Sequence, residues 1–176
     1  MSLRPAQLLL EHLNLLTGEP LPGPILDLAC GDGQNGIFLA LKNLSVICCD
    51  NSAEALERAN ELAIQKRVTI KTWQVDLERE GVNPLPEDFY GAILVFRYLH
   101  RPLIPSIAKA LRGGGILIYE TFTTAQPRFG KPHNPNFLLR PKELLGWFKD
   151  WTVIHYFEGT KENPKRAVAQ IVCRKP

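Results

Sequence analysis

The sequence predicts an α/β fold: one doubly wound, Rossmann-like sheet of seven strands, mostly parallel, with an antiparallel last strand. Three features carry this expectation. Apolar runs of strand length alternate with amphipathic segments of helical period along most of the chain. The first run ends in a carboxylate and a glycine-rich turn, Asp27 to Gly36, that opens a helix. The last two runs are joined only by the short polar segment 159–166, which suits an antiparallel pair.

Taken in order, Leu8, Leu9, Leu13 and Leu16 repeat at helical spacing, so residues 5–16 are expected to form one amphipathic helix with Pro5 in its first turn. Residues 17–24 are a Pro/Gly connector. Strand one is expected over 24–28, helix A over 35–42 and strand two over 45–50. Ser52 reads as the N-cap of helix B, 53–66, with acids in its first turn and Lys66 and Arg67 closing its last. Strand three follows over 68–74, then a polar loop with Pro84 and Pro86. Residues 90–96 are continuously apolar, as a central parallel strand buried on both faces requires. A helix over 103–111 is expected to be closed by Gly113, Gly114 and Gly115, and strand five to occupy 116–119. Residues 120–140 form a long irregular segment of the kind that carries function. A short helix from Pro141 to near Phe148 precedes the terminal strands, 152–157 and 167–173.

The turn after strand one carries the chemistry. Gly31, Gly33 and Gly36 match G-x-G-x-x-G, and Asp50 ends strand two where an acid accepts hydrogen bonds from a ribose diol. NAD and S-adenosylmethionine compete for such a site. A carboxylate at Asp27, just before the turn, would repel a pyrophosphate but complements a sulfonium and an ammonium group. Charge therefore favours S-adenosylmethionine. A dehydrogenase of this type would also need a substrate domain for which 176 residues leave no room.

The segment Asp27-Leu28-Ala29-Cys30-Gly31-Asp32-Gly33-Gln34-Asn35 resembles motif I of the class I methyltransferases and is especially similar to their small tellurite-resistance-type branch. The likeness extends over about residues 20–175. It implies the strand order 3-2-1-4-5-7-6 and S-adenosylmethionine as cofactor. It also implies a cofactor site built from Asp27, Ala29, Cys30, Gly31, Gly33, Asn35, Asp50, Asn51, Asp76, Leu77 and Phe96. Within that set, Asp76 falls at the acid that contacts the adenine amino group. The family carries a His-Arg pair before its last strand, whereas residues 159–166 here are basic and contain no histidine.

In an open α/β sheet the acceptor lies beyond the ends of strands four and five. Arg97 and Tyr98 follow strand four directly, and Arg97 can either clamp an anionic acceptor or pair with Glu120 at the neighbouring strand's tip. His100 and His133 are the candidate bases for an acceptor that must lose a proton. His12 and His155 read as structural. Trp73 is expected either in the adenine pocket or in the core, and Trp147 and Trp151 are expected to pack.

Composition bounds the rest. One domain spanning residues 1–176 is expected, and with an apolar fraction of 45% and neither a membrane span nor a signal peptide, a cytoplasmic protein. The four cysteines show no metal-ligand spacing, and Cys48, Cys49 and Cys173 read as reduced core residues. Residues 1–96 carry a balance of −6 and residues 97–176 one of +9, so the second half suits an anionic acceptor or surface. A small-molecule methyltransferase, monomer or homodimer, is the leading reading. A nucleic-acid methyltransferase is the alternative, although no Asn-Pro-Pro-Tyr-type motif follows strand four. A non-catalytic cofactor-binding partner subunit is the third.

Overall fold

The computed structural model describes residues 3–176. Seven strands form one sheet in the order β3-β2-β1-β4-β5-β7-β6, the order that the family resemblance implies. They are β1 (Ile25–Leu28), β2 (Val46–Asp50), β3 (Lys71–Gln74), β4 (Tyr90–Phe96), β5 (Leu111–Phe122), β6 (Thr152–Lys161) and β7 (Arg166–Arg174). The first five run parallel, and β7 lies antiparallel between β5 and β6. Because β1 and β4 are buried on both faces, their sequences are nearly all apolar, and Asp27 is the exception.

Helices cover both faces. On one, Leu26, Ile93, Val95, Leu117 and Tyr119 pack against α5 (Ile104–Ala110) and α6 (Glu143–Trp147). On the other, Ile25, Leu94, Ile116 and Ile118 meet Leu8, Leu9 and Leu16 from the N-terminal segment and Leu39 of α3 (Gln34–Ala40). Each fully buried Leu or Ile contributes about 1.5–3 kcal/mol through area removed from water. α4 (Ala53–Lys66) follows its sequence signals, with the Ser52 hydroxyl accepting from the Ala55 N–H and Arg67 closing the last turn in the left-handed conformation.

β3 begins at Lys71 rather than 68, and β6 runs to Lys161 rather than 157. Two elements differ in kind from expectation. The single helix over 5–16 is instead α1 (Gln7–Glu11) and α2 (Asn14–Thr17). His12 divides them: its Nδ1 donates to the Leu8 carbonyl at 3.1 Å, and its backbone leaves the helical region. The leucine spacing survives the break, so the buried face is the expected one. Gly113, Gly114 and Gly115 do not cap α5. They lie inside β5, which begins at Leu111, and the pairing with β4 shifts register between Tyr90 and Ala92. Gly114 has φ +77°, and a Cβ on Gly115 would stand 2.8 Å from the Arg112 carbonyl oxygen, so this irregular stretch of strand requires glycine.

Candidate functional site

The turn after β1 is built from left-handed residues. Ala29, Gly31 and Gly33 have φ of +53°, +54° and +71°. The glycines serve different purposes. A Cβ on Gly31 would meet nothing within 4 Å, so its face is open to a ligand. Gly33 starts α3, and a Cβ there would stand 2.9 Å from the Ala59 Cβ, so its missing side chain lets α4 pack close. Gly36 lets α3 approach the sheet, since a Cβ there would stand 2.4 Å from the Cys48 Sγ.

Two carboxylates brace this turn. Asp50 accepts from the Gly31 N–H at 2.9 Å and from the Ser52 N–H at 3.0 Å, tying the tip of β2 to the turn. Asp27 is only 2% exposed and accepts from the Gly36 N–H at 2.9 Å. Burial pushes its pKa up to about 7, the Gly36 N–H opposes the rise, and the neighbouring Asp50 charge adds to it. An ionised Asp27 therefore sits where a cation would relieve it. Cys30 is half-buried, and its thiol is pushed up by hydrogen bonding with Cys48 and by burial, while burial pushes Cys49 up to about 12. These sulfurs stay protonated and are not nucleophiles.

Two adjoining cavities open beyond the strand tips. The first, of about 270 Å³, lies over β1, β2 and β3 and is lined by Ala29, Asp50, Asn51, Asp76, Leu77 and Glu78, with Tyr98 at its border. Asp76 accepts from the Glu78 N–H at 2.9 Å, which turns the chain after β3 and presents Glu78. The second, of about 450 Å³, lies beyond β4 and β5. Arg97, Tyr98, Leu99, Thr121 and Phe122 line it from the sheet side, and Lys131, Pro132 and Phe137 close it from the loop. Tyr98 and Glu78 border both cavities. The Tyr98 hydroxyl is buried and unpartnered, and its pKa is raised by burial and by the Glu78 carboxylate beside it. The Tyr119 hydroxyl donates to the Tyr98 carbonyl at 2.9 Å and holds that backbone in place.

Arg97 takes φ +56° while its N–H donates to the Glu120 carbonyl at 2.9 Å, extending the ladder by one bond before the chain turns away. The alternative pairing of Arg97 with Glu120 does not form. Glu120 accepts from Gln170 Nε2 and lies 3.9 Å from the Arg166 guanidinium, which leaves Arg97 without an ion pair among the described residues.

The remaining candidates separate. Asn35 does not line either cavity; its Oδ1 accepts from the Ala6 N–H at 2.8 Å and holds the N-terminal segment over the turn. Phe96 packs into the core on the α1 side. His100 lines a third cavity of about 300 Å³ beside Arg101, which shares Glu78, Leu99 and Phe137 with the second, and His133 is exposed and borders neither of the two cavities above. Trp73, Trp147 and Trp151 pack against the core. His155 donates to Gln170 and lies against His12 with the ring centroids 5.0 Å apart, as a structural residue does.

The sequence reading missed Glu78, Lys131, Pro132 and the function of Arg101. Arg101 forms a bidentate pair with Glu143 at 2.7 and 2.9 Å and donates to the Asn136 and Leu138 carbonyls at 3.1 and 2.9 Å. It thereby fastens the loop that closes the second cavity to the segment following β4. Gln126 anchors the loop's other end, accepting from the Ala167 N–H at 2.8 Å and donating to the Lys131 carbonyl at 3.0 Å. The Asp76-x-Glu78 spacing was the one available signal for Glu78.

No helix among the described residues is long and apolar enough to cross a membrane. The family model described as tellurite resistance protein TehB matches residues 18–168. A probable S-adenosyl-L-methionine-dependent methyltransferase, TehB of Haemophilus influenzae, is 29% identical over 146 residues, 80% of this chain and 50% of that protein. A mouse tRNA N(3)-cytidine methyltransferase is 30% identical over 74% of this chain and 39% of its own. The chain thus spans half or less of these relatives' lengths. The crystal structure of the Haemophilus influenzae TehB superposes with a TM-score of 0.78 at 23% identity, covering 96% of this chain and 61% of the other.

Proposed function

From a chain that belongs to the TehB tellurite-resistance family, we propose a single-domain methyltransferase that uses S-adenosylmethionine on a small-molecule acceptor. The observation that carries the reading is the pair of cavities meeting at Tyr98 and Glu78, one beside the acids at the strand tips and one beyond β4 and β5.

The residues fit the cofactor. The open face of Gly31 admits a ligand against the backbone, Asp50 keeps lone pairs for a ribose diol, and Asp76 and Leu77 border the space for the base. Asp27 provides the negative charge for an amino-acid head, and Asp50 braces the turn against it. When bound, S-adenosylmethionine supplies a methyl group already activated by a positive sulfur. The protein's task is then alignment and exclusion of water, which can supply most of the acceleration. Tyr98 stands at the seam where donor and acceptor would meet, and Arg97 offers the acceptor an unpaired guanidinium.

Calorimetric titration with S-adenosylhomocysteine, with NAD as control, tests this. Micromolar binding of the homocysteine and none of NAD is expected; NAD binding alone would overturn it. A nucleic-acid acceptor is the second reading. It is favoured by the +9 balance of residues 97–176 and by the tRNA-modifying relative. It predicts RNA binding at low salt that weakens steeply as salt is raised.

A further inference from the structure

We propose that the cavity beyond β4 and β5 takes an organic anion with an apolar body, such as an aromatic carboxylate, rather than a bare oxyanion. The proposal rests on the methyltransferase reading and names its acceptor class.

Size is the first argument. A space of about 450 Å³ lies within the range that holds organic ligands, on the order of 300–1,000 Å³. An oxyanion with one central atom would contact the guanidinium and leave most of that space to water. Lining is the second. Leu99, Phe122, Pro132 and Phe137 face the cavity, and burying a ligand's apolar surface against them stabilises binding by roughly 25 cal/mol per Å². Phe137 is 48% exposed, so its ring is free to pack against a ligand in the cavity.

Charge is the third. Arg97 and Lys131 bring two cations to the wall against the single carboxylate of Glu78, which leaves an excess of one positive charge. Arg97 is without an acid partner because Gln170 and Arg166 hold Glu120. Gln126 holds the Lys131 backbone carbonyl, which keeps this residue at the cavity wall. One carboxylate on the ligand balances the wall, and a planar guanidinium receives it in two parallel hydrogen bonds. Two or three negative charges would overcompensate it and meet Glu78.

The test is calorimetric titration of the full chain with benzoate, phenylacetate and para-hydroxybenzoate, with para-cresol as the neutral counterpart and tellurite as the bare oxyanion. Each is run with and without S-adenosylhomocysteine. At least one of the acids is expected to bind. It should bind about tenfold more tightly than para-cresol and lose about tenfold in affinity in both Arg97→Gln and Phe137→Ala. Binding by none of the three acids overturns the proposal, as does tellurite binding more tightly than all of them in an Arg97-dependent way. A chain that takes an acid but not the homocysteine overturns the cofactor reading alone, and the reverse result overturns the acceptor class alone.

Discussion

Replacing Asp27 by Asn should make the protein more stable and disable it. The carboxyl is 2% exposed, and its pKa stands at about 7 against an ordinary value of 3.8. That rise corresponds to about 4 kcal/mol of preference for the protonated form. Between the two values the folded chain holds a proton that the unfolded chain has lost. Stability therefore falls as pH climbs from about 4 to about 7 and is flat above. Asparagine keeps an acceptor for the Gly36 N–H at the position where Oδ2 now sits, and it removes the buried charge. Its new amide donor lacks an evident acceptor, which costs about 1–3 kcal/mol. At about pH 8 the net gain should be about 1–3 kcal/mol, or about 2–4 °C of melting temperature for each kcal/mol in a chain of this size. The variant's stability should also lose its slope between about pH 4 and 7. Calorimetry should show S-adenosylhomocysteine affinity reduced by at least about tenfold, because the neutral amide no longer attracts an ammonium group. Thermal melts across this pH range check the first half. A variant that melts below the wild type at about pH 8 and keeps the same pH slope would refute the account of Asp27 as a buried, ionised liability held for a ligand.

Gly36→Ala and Gly31→Ala should separate packing from access. The first forces a Cβ to 2.4 Å from the Cys48 Sγ and should cost about 1–3 kcal/mol in denaturant titrations, while the second meets nothing and should cost only left-handed strain of about 1–2 kcal/mol yet weaken S-adenosylhomocysteine binding more. Arg101→Gln should destabilise by about 1–3 kcal/mol and raise the acceptor's KM while leaving S-adenosylhomocysteine affinity unchanged. Because Arg101 lowers the pKa of Glu143, its stabilisation is present above the carboxylate range and lost as pH falls through it, so the gap between wild type and variant should close in acid. Asp50→Ala removes the acceptor of both the Gly31 and Ser52 N–H groups, and calorimetry should register loss of cofactor binding.

The parts legible in the sequence were those governed by local chemistry. Continuous apolar runs marked β1 and β4, Ser52 and Arg67 bounded α4, and the spacing of Asp27, the glycines and Asp50 located the carboxylate-braced turn after β1. What escaped depended on partners distant in sequence. Arg101 and Glu143 are 42 residues apart, so nothing local marked their pairing. Glu120 was open to Arg97 until Gln170, 50 residues on, took it. The glycines after α5 carried a helix-stop signal, yet they fall inside β5, skipped by the β4 register, where Gly114 and Gly115 exchange backbone hydrogen bonds with Lys175, 60 residues on. Lys131 and Pro132 reach the cavity only because Gln126, itself held by β7, folds the loop back.

The loop that closes the second cavity hangs between two fixed points, Gln126, bound to the Ala167 N–H of β7, and Arg101, just beyond β4, and neither point lines the space over β1 to β3. On the proposed reading, the side chains of residues 127–137 can therefore be changed while the anchored Lys131 and Asn136 carbonyls and the donor site stay intact. A library confined to that stretch would sample new acceptors on a constant engine. A lineage under selection would have the same freedom, with its catalytic inheritance insulated from its experiments in specificity.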